Sequence, residues 1–211
     1  MREEAAVSSV VVRAATEADM PRIAEIYAHH VLTGLATFET EPPDAAEMTR
    51  RYRDLASRGC PYLVAESEGR IIGYAYAGPF RTRAAYRHTV EDSIYLDSAV
   101  ARHGVGRRLL EALIEASTRA GFRQMIAVIG DSANTGSIRV HERCGFRMVG
   151  TLGATGFKFG RWVDTVLMQR ELGEGGGTLP SAGSCEARGD EHAQTSRHGW
   201  APGGALRARR A

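Results

Sequence analysis

The sequence predicts an α/β (α+β) domain, a single sheet layer with helices on both faces, and three observations carry that prediction. Strand-like apolar runs and helix-like periodic segments interleave along the chain. The length, 211 residues, suits one domain. Large apolar residues also thin out abruptly: from Gly173 onward only Leu179, Trp200 and Leu206 remain, among nine of the 24 glycines. Such a segment cannot bury enough apolar surface to offset the entropy of ordering it. The expected organisation is a flexible N-terminus over 1–9, a folding unit over 10–172 and a disordered Gly/Arg-containing tail over 173–211.

Each element has its own local reason. Val10 to Val12 is a β-branched strand. Thr16-Glu17-Ala18-Asp19 is a capping signal with Pro21 in the first turn, and Met20, Ile23, Tyr27 and Val31 follow at helical spacing. Asp44, with Glu47 three residues on, opens a second helix that runs to about Arg58. Tyr62 to Ala65 and Ile71 to Ala77 are strands joined through Glu68-Gly69, a hairpin turn pair. Val90 to Leu96 is a further strand. Over Gly104 to Ala120, Val105, Leu109, Ala112, Leu113 and Ala116 share a helix face, and Gly121 is suited to ending that helix. The wholly apolar run Met125 to Ile129 reads as a strand buried on both faces. A short helix over Gly136 to Arg143 ends at Gly145, and Met148 to Leu152 and Val163 to Gln169 close the sheet.

Composition narrows the function. The formal net charge is +2, and no basic stripe occurs in the first 172 residues, which argues against nucleic acid. No 18-residue apolar run predicts a membrane span, and Met1 to Ser9 lacks the apolar core of a signal peptide. Cys60, Cys144 and Cys185 lie far apart without CxxC spacing, which fits a reducing cytoplasm. Of the 27 basic residues, 26 are arginine and one, Lys158, is lysine, a bias attributed to codon composition. His29, His30, His88 and His103 form no metal-ligand spacing with His141, so no metal is expected.

The most informative stretch is Arg102-His103-Gly104-Val105-Gly106-Arg107, delivered onto the start of the longest periodic helix. A glycine loop at a helix N-terminus offers unpaired backbone N–H groups and a partial positive charge to a phosphate; a tight turn is the competing reading. Walker A is excluded because Lys and Ser/Thr do not follow, and the dinucleotide fingerprint because its third glycine is missing. Forty residues on comes Asn134-Thr135-Gly136-Ser137, continuing through His141 to Gly145-Phe146 after an apolar strand. Together these resemble the GNAT acetyltransferase superfamily. Tyr76 to Phe80, Tyr86 to Ser93, Ala127 to Gly130 and Gly156 to Trp162 are similar to its phosphinothricin and methionine sulfone (sulfoximine) acetyltransferase branch, over about Val10 to Leu172. The sequence departs from the branch at Ala101, where Arg or Gln is usual in the pyrophosphate loop, and at Ser98, where proline is common.

The resemblance implies a mixed, mostly antiparallel twisted sheet, acetyl-CoA as cosubstrate without a metal, and a small amino acid as acceptor. Strand alternation puts Glu91, Ser93 and Tyr95 on one face and Asp92 on the other without saying which face meets the substrate. The resemblance assigns the general base to Glu91, where an acid paired to arginine is the alternative. His141 sits where many GNAT members carry Tyr and is assigned as general acid; packing against the sheet is the alternative. Cofactor contacts are implied at Ile94, Tyr95 and Leu96, at Arg102, His103, Gly104, Val105, Gly106 and Arg107, and at Asn134, which is equally a good N-cap. Phe38, Arg81, Arg83, Tyr86 and Ser93 are implied for the substrate, the arginine forks matching its carboxylate or phosphinate oxygens; an ordinary basic loop competes. The segment from Phe157 to Trp162 is implied to support a homodimer. An acetyltransferase for another small amine and a catalytically weak acyl-CoA-binding regulatory module are the rivals.

Overall fold

The computed structural model describes residues 10–100 and 104–180. Its elements run β1 (Val11–Ala14), α1 (Met20–Thr33), α2 (Ala45–Ser57), β2 (Tyr62–Ser67), β3 (Arg70–Pro79), β4 (Thr89–Leu96), α3 (Val105–Arg119), β5 (Gln124–Gly130), α4 (Thr135–Arg143), β6 (Arg147–Lys158) and β7 (Arg161–Glu171). The strands form one seven-stranded sheet in the order β1-β2-β3-β4-β5-β7-β6. Among the described residues only the β4–β5 pair is parallel; the other five pairs are antiparallel. The architecture is therefore the expected one, and each sheet face has its own core. Leu109, Leu110 and Leu113 of α3 and Cys144 and Phe146 after α4 cover one face. Met20, Ile23, Tyr27 and Val31 of α1 and Met48 of α2 cover the other, against Tyr62, Tyr74 and Tyr95.

The local signals act as expected. The Thr16 backbone N–H donates to Asp19 at 2.7 Å, and Arg13 forks onto the same carboxylate at 2.8 and 2.9 Å. Asp44 accepts from the Glu47 N–H at 2.8 Å and caps α2. Glu68 and Gly69, with φ of 51° and 74°, form the two-residue turn that twists with its strands. The strand expected over Met148 to Leu152 is longer: β6 continues to Lys158 through two register shifts. It turns at Phe159-Gly160 with the same pair of positive φ values, 51° and 72°. β6 is the sheet edge, and Val149, Leu152, Phe157, Phe159 and Trp162 of this hairpin are exposed.

The chain does not leave the domain at 173. Leu172 is buried, residues 173–178 turn back, and Arg123 donates to the Thr178 carbonyl at 3.0 Å and pairs with Glu174 at 3.5 Å. The tail expected from 173 thus begins with a segment laid against Arg123. Residues 1–9 and 181–211 lie outside the described residues, as do Ala101, Arg102 and His103. Among the described residues no helix is long and apolar enough to cross a membrane.

Candidate active site

The feature that organises the site is a parting of neighbouring strands. β4 and β5 pair from Thr89↔Gln124 to Asp92↔Ala127 and then stop, although β4 continues to Leu96 and β5 to Gly130. A slot opens beyond Asp92, lined by Ser93, Ile94 and Tyr95 on one side and Val128 to Gly130 on the other, with Ala36, Asn134 and His141 around it. Backbone groups that a closed sheet would pair are available to a ligand there.

The N-terminus of α3 is the second element. Gly104 is its N-cap in a left-handed conformation, φ 75°, without a side-chain cap. A Cβ at Gly104 would meet open space, and one at Gly106 would reach only Leu96, at 3.5 Å. The first-turn N–H groups at Val105, Gly106 and Arg107 therefore have no helical acceptor and sit in a glycine-cleared approach, which suits the phosphate groups of a nucleotide-bearing ligand. Arg107 itself turns to Glu111 at 2.8 Å. The implied contributions of Arg102 and His103 lie outside the described residues.

On the α3/α4 face, His141 and Asp92 are buried together. His141 Nε2 lies 3.0 Å from Asp92 Oδ2, and Nδ1 lies 2.8 Å from the Ser137 carbonyl. Both nitrogens face acceptors, so the ring satisfies both only as imidazolium. Burial pulls the imidazole pKa down, but the hydrogen bond and charge of Asp92 and the Ser137 carbonyl outweigh it and hold it above its ordinary value. Asp92 Oδ1 is buried with no hydrogen-bond partner among the described residues. Asn134 both lines the slot and caps α4, accepting from the Ser137 N–H at 3.2 Å; the two readings of this residue hold together.

The opposite face of β4 carries Glu91, half-buried and without an ion-pair partner among the described residues. Burial raises its carboxyl pKa, the charge of Asp92 adds to that, and Arg81 opposes it. Tyr76 lies directly across the β3–β4 ladder from Ser93. Arg81 stacks on Phe80 at 4.2 Å, and Tyr86 meets Phe80 edge-on at 5.8 Å, so these two share one exposed patch at the end of β3. Arg83 joins this patch through its backbone: its carbonyl accepts from the Tyr86 N–H at 2.9 Å as it starts the short 3₁₀ turn Ala84–Tyr86. Phe38 fits against glycines at the ends of β5 and in β6: a Cβ would lie 3.3 Å from its ring at Gly130 and 2.4 Å at Gly156.

The structure thus gathers Ser93, Ile94, Tyr95, Asn134 and His141 around one slot. Glu91 stands immediately before it, Phe38 beside Gly130, Arg81 within electrostatic reach of Glu91, and the α3 N-terminus follows Leu96. Sequence reasoning missed Asp92, which alternation had put on the other face from Glu91 but which nothing in the chain joined to His141, 49 positions on. Among the described residues no group of three or more His, Cys, Asp or Glu side chains could hold a metal ion.

Comparison with known proteins agrees with this geometry. A family model described as an acetyltransferase (GNAT) domain matches residues 12–167. A phosphinothricin N-acetyltransferase of Alcaligenes faecalis is 51% identical over 177 residues, covering 84% of this chain and 90% of that protein. An L-methionine sulfoximine/L-methionine sulfone acetyltransferase of Salmonella typhimurium is 38% identical over 165 residues, covering 78% of this chain and 96% of that protein. Among solved structures, a GNAT superfamily phosphinothricin acetyltransferase from Sinorhizobium meliloti in complex with AcCoA superposes with a TM-score of 0.81 at 50% identity, over 83% of this chain and 95% of that one.

Proposed function

The chain belongs to the GNAT acetyltransferase family, and from that premise we propose that it transfers the acetyl group of acetyl-CoA to the α-amine of a small amino acid of the phosphinothricin, methionine sulfone or methionine sulfoximine type. The observation that carries the reading is the slot between β4 and β5 with an unpaired carboxyl, Glu91, on one face and the buried His141–Asp92 pair on the other.

Acetyl-CoA, when bound, supplies an activated acetyl thioester. The first-turn N–H groups of α3 at Gly104 to Arg107 hold its pyrophosphate, with Arg102 and His103 in the same loop. The open backbone of β4 at Ile94, Tyr95 and Leu96 and the Asn134 amide receive the arm, and the same strand offers N–H donors to the acetyl oxygen. Glu91 takes a proton from the substrate ammonium, directly or through water; its raised pKa suits a base working near neutrality. His141 carries the proton offered to the departing sulfur, and Asp92 keeps it charged. Arg81, Arg83 and Tyr86 meet the substrate's acidic groups, and Phe38 and Ser93 line its other side.

The exposed apolar side chains of the β6–β7 hairpin, with Phe157 and Trp162 packed edge-on at 5.3 Å, support a homodimer through this edge. Cys60 and Cys144 are buried thiols outside any disulfide among the described residues, which suits the cytoplasm.

The test is release of CoA thiol from acetyl-CoA with phosphinothricin, methionine sulfone and methionine sulfoximine assayed in parallel. Turnover with at least one is expected. Binding of CoA without turnover on any of them overturns the reading in favour of a binding module.

A further inference from the structure

Twenty-six of the 27 basic residues are arginine. The exception, Lys158, is 3% exposed, in the last position of β6. Its ammonium donates to the Gly34 carbonyl at 2.9 Å and the Thr37 carbonyl at 2.8 Å, and stands 5.0 Å from the centre of the Phe159 ring. Among the described residues it has no ion-pair partner; Glu39 acts on it only at longer range. Two main-chain oxygens converging on one buried point suit a compact ammonium with three donors, whereas a guanidinium spreads its donors across a wide plane. Composition bias explains the arginines. This pocket explains the lysine.

The carbonyls it holds bracket the loop that follows α1. Gly34 ends that helix, where a cation also complements the helix dipole. Ala36, between the two held carbonyls, lines the slot beside Ser93 and Ile94. The neighbouring residues press directly on the sheet: a Cβ at Gly130 would lie 2.1 Å from the Leu35 carbonyl oxygen, and one at Gly156 2.4 Å from the Phe38 ring. The loop is thus drawn onto the ends of β5 and β6 by one side chain, more than 120 positions away in sequence.

We propose that Lys158 is the positioning residue of the acceptor side of the site: it seats the 34–38 loop, and so fixes Ala36 at the slot and Phe38 as a wall against Gly130 and Gly156. Because Lys158 directly precedes the Phe159-Gly160 turn, the seat of this loop moves with the β6–β7 hairpin. The proposal rests on the acetyltransferase reading for its substrate side and on geometry alone for the clamp.

The test separates these two parts. In Lys158→Met, backbone amides of residues 34–40 are expected to exchange with solvent at least about tenfold faster, as a locally released loop does, while core strands keep their protection. KM for methionine sulfone is expected to rise about tenfold or more with KM for acetyl-CoA within about twofold, since a small misplacement of a positioning element suffices for that. Unchanged loop exchange overturns the clamp whatever the enzyme acetylates. Faster exchange with unchanged acceptor KM overturns the positioning role. If the native chain acetylates none of the three amino acids, the substrate reading fails and the exchange result alone decides the clamp. A measurement on the native chain guards against misfolding of the variant: with 15N-lysine labelling the single side-chain ammonium is expected to give one exchange-protected signal at neutral pH, and loss of that signal to exchange overturns the proposal.

Discussion

Glu91 and Asp92 are neighbours in the chain and opposites in the fold. Period-2 alternation turns Glu91 toward the tyrosine-rich face covered by α1 and α2, and Asp92 toward the face covered by α3 and α4. Asp92 finds His141 at 3.0 Å and is buried with it; Glu91 finds no cation at ion-pair distance among the described residues and is only half-buried. The same chemical group therefore has, one residue apart, a fixed buried partner in one case and no ion-pair partner among the described residues in the other, which fits the proposed roles of counter-charge and proton acceptor. Burial without a partner raises a carboxyl's pKa and leaves its oxygens free, which a base needs. Burial with a partner holds the neighbouring imidazole charged, which an acid needs.

The comparison breaks most visibly at Glu91. Glu91→Gln is expected to lower kcat by about 100- to 10,000-fold, the usual contribution of a proton-transfer group, with acetyl-CoA affinity nearly unchanged. The acid limb of the kcat/KM profile, lying above the ordinary carboxylate range because the pKa is raised, is expected to disappear with it. Thiol release gives the first quantity and calorimetric titration the second; parallel loss of both would make Glu91 a structural carboxylate.

Asp92→Asn should act on the other face and less severely, lowering turnover by about 10- to 100-fold because the imidazole remains but loses the charge that holds its proton. Its distinctive signature is thermal. In the native chain the folded pKa of His141 lies above its unfolded value of about 6.5, so the pair's contribution to stability is fully present below that pH and is lost as pH rises through the folded pKa. With Asp92 neutralised, burial dominates and pulls the folded pKa below the unfolded one, so stability rises with pH instead. Melting temperatures between pH 5.5 and 8 therefore slope in opposite directions in the two proteins, and parallel slopes would remove Asp92 from this role.

These two carboxylates also mark how far the sequence could be read. Short-range signals were legible because their causes are local: the Thr16–Asp19 and Asp44–Glu47 caps, the Glu68-Gly69 turn and the glycine at the head of α3 are each written within a few residues. The assignment of Glu91 came with the family motif. The partnership of Asp92 with His141 was not legible, because it depends on β5 pairing parallel to β4 and α4 folding back over that pair. β6 was read short because residues 153 to 156 include two glycines and a register shift, which erase the alternation that marks a strand. The role of Lys158 is not legible either, because the two carbonyls it holds, at 34 and 37, lie more than 120 positions away.

The smallest effect sharpens the comparison at the cofactor end. Position 101 carries alanine where the family's phosphate loop usually has Arg or Gln, yet the α3 N-terminus keeps its uncapped N–H groups and its glycine-cleared approach. Ala101→Arg adds one charge-assisted donor beside the backbone amides proposed to hold the pyrophosphate, so acetyl-CoA should bind about three- to tenfold tighter. KM for the amino acid should not move, because the proposed acceptor contacts lie on the Glu91 side of β4 and not at the α3 N-terminus. A tighter cofactor with an unchanged acceptor KM means that the two faces of β4 work independently. A shift in acceptor KM would couple them, and unchanged affinity would mean that Arg102 or another group already supplies the charge that alanine lacks.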